Sequence, residues 1–290
     1  MPHRTWQLSS ADAEPWPIPV GGGIMGILNV TPDSFSDGGL FTDPAAALAQ
    51  ADLLVRGGAH IIDIGGESTR PGAQEVAVEE ELRRTIPVVS ALHAAFPHLH
   101  ISIDTRHATV AAAALDAGAC IINDISGLAS AEMRDLCAAR PCGIVLMHMQ
   151  GDPATMQLRP HYSDVVAEVR AFFAQQVRLA EQVGIDPSRI CLDPGIGFGK
   201  TTAHNLALIT HLSELRVRDL PLLMALSRKR FLGELFADAA LPRSSPLPTV
   251  AASLLAATQG ADLHRVHDPA PLVHALNLLA SASSEMTNDK

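Results

Sequence analysis

Eight times along this chain a short apolar run gives way to a stretch whose apolar residues recur at helical spacing. The runs are Ile24–Val30, Ile61–Gly65, Ile101–Asp104, Ile121–Ile125, Ile144–His148, Ile190–Asp193, Leu222–Ser227 and Leu263–Val266. The helical stretches between and after them are Pro44–Val55, Glu79–Ala95, His107–Ala117, Ala131–Ala139, Val165–Val183, Ala203–Leu212, Leu247–Thr258 and Pro271–Ala280. Nearly continuous apolar strands are buried on both faces, which requires a parallel sheet covered by helices. Eight strand–helix units close most simply into a (β/α)8 TIM barrel with its site at the carboxyl ends of the strands. An open doubly wound sheet has fewer strands and a glycine fingerprint after the first, and neither fits. Punctuation agrees. Asp43-Pro44 and Asp268-Pro269 have the form of a helix start, and Gly57-Gly58, Gly118, Gly184 and Gly260 stand where helices end.

The chain has 290 residues, a length that α/β barrels fill as one domain. Residues 1–20 read as a lead-in, 21–282 as the barrel and 283–290 as a flexible polar tail. Apolar residues make up 47% and aromatic residues only 4%, so small aliphatic side chains must build the core. The formal net charge is -10, and no run of Lys and Arg breaks the acidic balance, which argues against nucleic acid or an anionic membrane as partner. Cys120, Cys137, Cys142 and Cys191 form no C-x-x-C pair and read as small core residues of a reducing compartment. No export signal and no bilayer-length apolar stretch are evident, so a soluble cytoplasmic protein is expected.

All eight runs end in polar or glycine-rich sequence: Asn29; Gly65-Gly66-Glu67; Asp104-Thr105-Arg106; Asn123-Asp124; His148; Asp193; Ser227-Arg228-Lys229; Arg265 and His267. A polar residue after a strand commonly caps the next helix. Asp104, Asn123 and Asp193 differ, because they sit within or at the last residue of apolar runs, where an unpartnered carboxylate is costly. A flat heterocycle rich in N–H donors would satisfy them. Lys229, Arg265 and His267 form a cationic group from the seventh and eighth runs, where barrels commonly bind phosphate. His98 and His100 fall at the wrong end of the barrel for a metal site, His264 has no assignable role, and His148 is open between hydrogen bonding and site lining. Gly195-x-Gly197-x-Gly199-Lys200-Thr201 lacks the spacing of an ATPase phosphate loop.

Longer motifs narrow the reading. Met25-Gly-Ile-Leu-Asn-Val-Thr-Pro-Asp-Ser-Phe-Ser-Asp-Gly-Gly39 and Asp63-Ile-Gly-Gly-Glu-Ser-Thr-Arg-Pro-Gly-Ala73 are followed by Ile103-Asp-Thr, Ile122-Asn-Asp-Ile, Leu146-Met-His-Met-Gln-Gly, Leu192-Asp-Pro-Gly-Ile-Gly-Phe-Gly-Lys200, Ser227-Arg-Lys and Arg265-Val-His-Asp. In this order they resemble the dihydropteroate synthases, which join a pterin pyrophosphate to p-aminobenzoate in folate synthesis. The resemblance spans about residues 22–280.

The resemblance implies a residue for each part of the reaction. Asp104, Asn123 and Asp193 match pterin-binding positions. Lys229 matches the lysine that reaches the pterin carbonyl and ring nitrogen, and Met147 and Phe198 match apolar packing on the ring. Thr69, Arg265, Val266 and His267 match pyrophosphate and pterin contacts. Asn29 matches the residue linked to Mg²⁺. Phe35 and Asp37 belong to one closing loop, and Thr69, Arg70 and Pro71 to a second. Phe35, Thr69, Pro71, Lys229 and Arg230 would line the p-aminobenzoate pocket, and catalysis would fall to Asp37, Arg70, Lys229, Arg265 and His267. The substrates implied are (7,8-dihydropterin-6-yl)methyl diphosphate and p-aminobenzoate, with sulfonamides as inhibitors and a homodimer as assembly. Pyrophosphate departure would leave a carbocation-like pterin methylene for the arylamine to attack, with no enzyme nucleophile. Two positions depart from the family pattern. Ala225 replaces a common glycine, and Arg230 a common serine, where it either pairs with the p-aminobenzoate carboxylate or points to solvent. A non-catalytic pterin-binding paralogue would lack the loop or cation residues. A pterin-dependent methyltransferase would lack both loops and Ser-Arg-Lys.

Overall fold

A computed structural model of the chain describes residues 4–10, 12–31, 44–68, 75–152, 155–237, 241–242 and 244–288. Two short strands, β1 (Thr5–Trp6) and β2 (Trp16–Pro17), pair antiparallel ahead of the main sheet. That sheet is parallel and contains β3 (Gly23–Asn29), β4 (Ile61–Gly65), β5 (His100–Asp104), β6 (Ile121–Asp124), β7 (Gly143–Met147), β8 (Ile190–Asp193), β9 (Leu223–Met224) and β10 (Leu263–Val266). Its order is β8-β7-β6-β5-β4-β3-β10-β9. A parallel bridge between Leu192 and Leu222, with Leu192 N donating to Pro221 O (2.8 Å), joins the two ends and closes the barrel. Among the described residues no helix is long and apolar enough to cross a membrane.

The helices are α1 (Pro44–Arg56), α2 (Val78–Ala95), α3 (Ala108–Asp116), α4 (Ala131–Ala139), α5 (Val165–Gln182), α6 (Thr202–Thr210), α7 (Arg230–Leu235), α8 (Leu247–Thr258) and α9 (Pro269–Asn288). Local chemistry sets several starts. Asp164 accepts from Val166 N and Ala167 N at the head of α5, and Thr201 with His204 forms a capping box on α6. Three expectations need correction. The seventh run keeps regular strand geometry only over Leu223–Met224, and the short helix α7 after it carries too few apolar residues for a periodic signal. The last helix continues past Ala280 to Asn288, so most of the expected tail is helical.

The lead-in also departs from expectation, because it is part of the core. Trp6 is fully buried and donates its indole N–H to Arg189 O (2.8 Å), and Gln7 N donates to Ser188 O (3.0 Å). Trp6, Leu8 and Ile18 pack on Met25, Ile61, Ile121, Val145, Cys191, Leu223 and Leu263. These barrel residues are the inward-facing positions near the amino ends of their strands. The alternate positions, such as Ile24, Ile62, Ile103, Ile122, Leu146 and Leu192, join the larger cluster beneath the helices. The period of two therefore separates two cores, one inside the barrel and one around it.

Candidate active site

Two residues further along, the inward positions of β4, β6, β8 and β10 turn polar. Parity with the lower layer sends Asp63, Asn123, Met147, Asp193 and Arg265 to the inside. Asp104 lies two residues beyond the inward Ser102 and pairs in register with Asn123. They form one layer across the barrel mouth. Above it opens a cavity of about 1590 Å³ whose walls include Asn29, Asp104, Phe198, Lys229, Arg265 and His267.

Arg265 is the hub of this layer. Its Nε donates to Asp63 Oδ2 (2.6 Å) and its second terminal nitrogen to Asp104 Oδ2 (2.7 Å). Asn123 Nδ2 donates to the same Asp63 oxygen (3.0 Å). One guanidinium thus bridges two carboxylates, a geometry lysine does not reproduce. Burial works against the charge of Arg265, but Asp63 and Asp104 outweigh it and hold its pKa above the usual value. Asp104 is pushed up to about 7, by burial first and then by Asp63, Glu81 and Asp124, with Arg265 opposing. Burial also raises Asp193, while Gly195 N donates to its Oδ1 (2.7 Å) and Lys229, Arg265 and Lys200 oppose the shift. Lys229 is lowered to about 8 by burial, against the pull of Asp193, and its ammonium stands 4.4 Å from the centre of the Phe198 ring. Ser227 ties in His267, its Oγ lying 3.0 Å from Nδ1 and accepting from His267 N (3.2 Å).

Asp63 was missed as a site residue. It is completely buried, holds Arg265 and Asn123 together, and keeps one oxygen, Oδ1, without a partner among the described residues. Its signal was present, since it is a carboxylate inside an apolar run like Asp104 and Asp193, but it lies mid-run rather than at the end. Several other candidate positions stand apart from this layer. Asp124 faces outward and accepts from Ser126 N, Ser126 Oγ and Leu128 N, which shapes the following turn. Val266 turns its side chain into the core beneath the helices and does not line the cavity. The rings of His264 and His148 are buried. His264 is lowered to about 4 by burial, and His148 to about 3 by burial and by Lys200. Arg230 points to solvent, with a side chain 86% exposed and Nε 3.1 Å from Glu234 Oε1. Ala225 lies at the cavity floor against the lower core. Phe35, Asp37, Thr69, Arg70 and Pro71 lie outside the described residues.

A family model described as pterin binding enzyme matches residues 25–267. The chain belongs to the pterin-binding enzyme family. A relative from Synechocystis, named dihydropteroate synthase, is 47% identical over 268 residues, which cover 89% of this chain and 92% of that one. The dihydropteroate synthase of Xanthomonas albilineans, solved with 4-aminobenzoic acid, is 46% identical and superposes with a TM-score of 0.87 over 96% of this chain and 98% of its own. The same enzyme in complex with 7,8-dihydropteroate gives a TM-score of 0.81 at 46% identity, covering 90% and 94%. Membership of the family gives the polar layer a natural ligand, because a pterin presents the row of N–H donors that buried carboxylates require.

Proposed function

We infer that the chain is a dihydropteroate synthase, which condenses (7,8-dihydropterin-6-yl)methyl diphosphate with p-aminobenzoate to give 7,8-dihydropteroate and pyrophosphate. The observation that carries this is the buried layer in which Arg265 bridges Asp63 and Asp104 beside Asn123, Asp193 and Lys229. Carboxylates there accept from the pterin N–H edge in place of water. In the reaction the bond from the pterin methylene to the diphosphate oxygen breaks, and a bond from the arylamine nitrogen to that carbon forms. The nitrogen then loses a proton. Positive charge on the methylene and ring is balanced by the fixed carboxylates, and Lys229 and Arg265 face the anionic side of the ligand. No side chain need act as a nucleophile.

We place Mg²⁺ at Asn29. Its amide is a hard neutral oxygen donor on the cavity wall, and among the described residues no cluster of three His, Cys, Asp or Glu side chains cages a metal. That donor set suits an ion held mainly by diphosphate and water. Held at Asn29 in this way, Mg²⁺ would supply positive charge to the pyrophosphate leaving group. A homodimer, a cytoplasmic location and competition by sulfonamides follow from the family resemblance and complete the reading.

The deciding experiment is a turnover assay with both substrates, following pyrophosphate release and dihydropteroate formation. Pterin binding without product would instead favour the non-catalytic paralogue.

A further inference from the structure

The glycine-rich loop after β8 ends in a lysine that is turned into the protein and is not a surface charge. Lys200 is only 3% exposed. Its Nζ lies 3.0 Å from Gly195 O, 2.9 Å from Phe198 O, 3.3 Å from His148 O and 3.0 Å from His148 Nδ1. No carboxylate bonds it among the described residues, so its three protons are held by carbonyl dipoles and a neutral imidazole. Burial lowers its pKa to about 7, with Asp193 opposing.

The loop requires such a donor. Gly195, Gly197 and Gly199 all have left-handed backbones, with φ of 66, 83 and 62°. A Cβ on Gly195 would fall 1.9 Å from His148 O, and one on Gly199 2.5 Å from Gln150 O, so the chain passes directly against the segment that follows β7. This path turns successive carbonyls into the protein, where each needs a hydrogen bond. Gln157 Nε2 donates to Gly197 O, Tyr162 OH to Gly199 O (3.0 Å), and Lys200 takes Gly195 O, Phe198 O and His148 O.

The same loop touches the ligand-facing groups. Gly195 N bonds Asp193, Phe198 carries the ring beneath Lys229, and Gly197 leaves space for the Lys229 stem, whose Cδ a Cβ would approach to 3.3 Å. We propose that Lys200 is a positioning residue for pterin recognition: its buried ammonium fastens the loop after β8 to His148 and thereby sets where Asp193, Phe198 and Lys229 stand. This rests on the dihydropteroate synthase reading. Bound pterin contacts the same loop and re-forms it at saturation, so loss of Lys200 acts on substrate binding more than on the chemical step.

The test compares wild type with Lys200→Met, which keeps the stem and removes the donors, and Lys200→Gln, which keeps one polar group. Steady-state kinetics in pterin pyrophosphate at saturating p-aminobenzoate are expected to show KM raised tenfold or more in Lys200→Met. Its kcat should stay within threefold, and Lys200→Gln should fall between. A purely structural loss lowers the folded fraction, which reduces kcat and leaves KM unchanged. The proposal is overturned if KM stays within twofold in both variants, whatever happens to kcat. If Lys200→Met does not fold, the same criterion applied to Lys200→Gln decides. Wild type run in parallel separates the two claims. Absence of dihydropteroate there overturns the functional reading, and calorimetric affinity for pterin pyrophosphate then judges Lys200 alone.

Discussion

The lower and upper halves of the barrel interior are built on the same strands and differ in almost every physical respect. Below, Met25, Ile61, Ile121, Val145, Cys191, Leu223 and Leu263 fill the tube and are sealed by Trp6, Leu8 and Ile18. Above, two residues along, stand Asp63, Asn123, Asp193 and Arg265, with Asp104 beside them, and burial raises the pKa of Asp104 and of Asp193. The lower layer stabilises the fold by removing apolar surface from water. The upper layer opposes folding unless every charge has a partner. A barrel mouth can hold such a layer because the layer beneath it supplies the stability.

The sharpest way to break this contrast is Asp63→Ala. It leaves Arg265 and Asn123 without their shared acceptor, and breaking a buried pair costs about 3–5 kcal/mol. Both stability and turnover should fall, with kcat/KM down by about a hundredfold or more. Denaturant midpoints and kinetics on the same preparation check it, and near-normal values in both would remove Asp63 from the site. Trp6→Ala should separate the halves, losing about 3–5 kcal/mol of stability while pterin affinity in the folded protein holds within about twofold. A large loss of affinity would mean that the lower core governs the upper geometry.

Asp193→Ala tests the complement. Pterin N–H groups left unpaired should weaken pterin pyrophosphate binding by about 2–4 kcal/mol with little loss of melting temperature. Calorimetry reads the first and thermal unfolding the second. The pH dependence of binding sharpens the upper half further. Lys229 is lowered to about 8, so its ammonium is present below that pH and is lost as pH rises through it. Affinity for the anionic ligand should therefore decline above about pH 8, and Lys229→Met should abolish that alkaline limb. The smallest effect belongs to the rim. Arg230 is exposed and paired with Glu234, an arrangement worth about 1 kcal/mol or less, so Arg230→Ser should change the p-aminobenzoate KM and sulfonamide inhibition by no more than about fivefold. A larger change would show that Arg230 swings onto the carboxylate when the site closes.

Much of this was written in periodicity. Apolar runs of period two alternating with helical spacing are local signals, because a strand or helix repeats over a few residues. They located the strand ends, and with them Asp104, Asn123, Asp193, Lys229 and Arg265. The family motifs suggested roles that no spacing rule reaches, such as the Mg²⁺ contact proposed for Asn29. What escaped depended on contacts between distant segments. Trp6 reads in the sequence as part of a lead-in, and only the fold brings its indole to Arg189 O across the barrel floor. Asp63 and Lys200 are ordinary letters in their motifs. One becomes the anchor of Arg265, 202 residues away, and the other the tie to His148, 52 residues away. Val266 and Asp124 stand beside true inward positions, yet strand parity turns them toward the helices. Local pattern decided which elements form and where each strand ends. Only closure of the barrel decided which polar groups share a proton, a charge or a carbonyl, because those partnerships exist once distant strands are brought within about 3 Å.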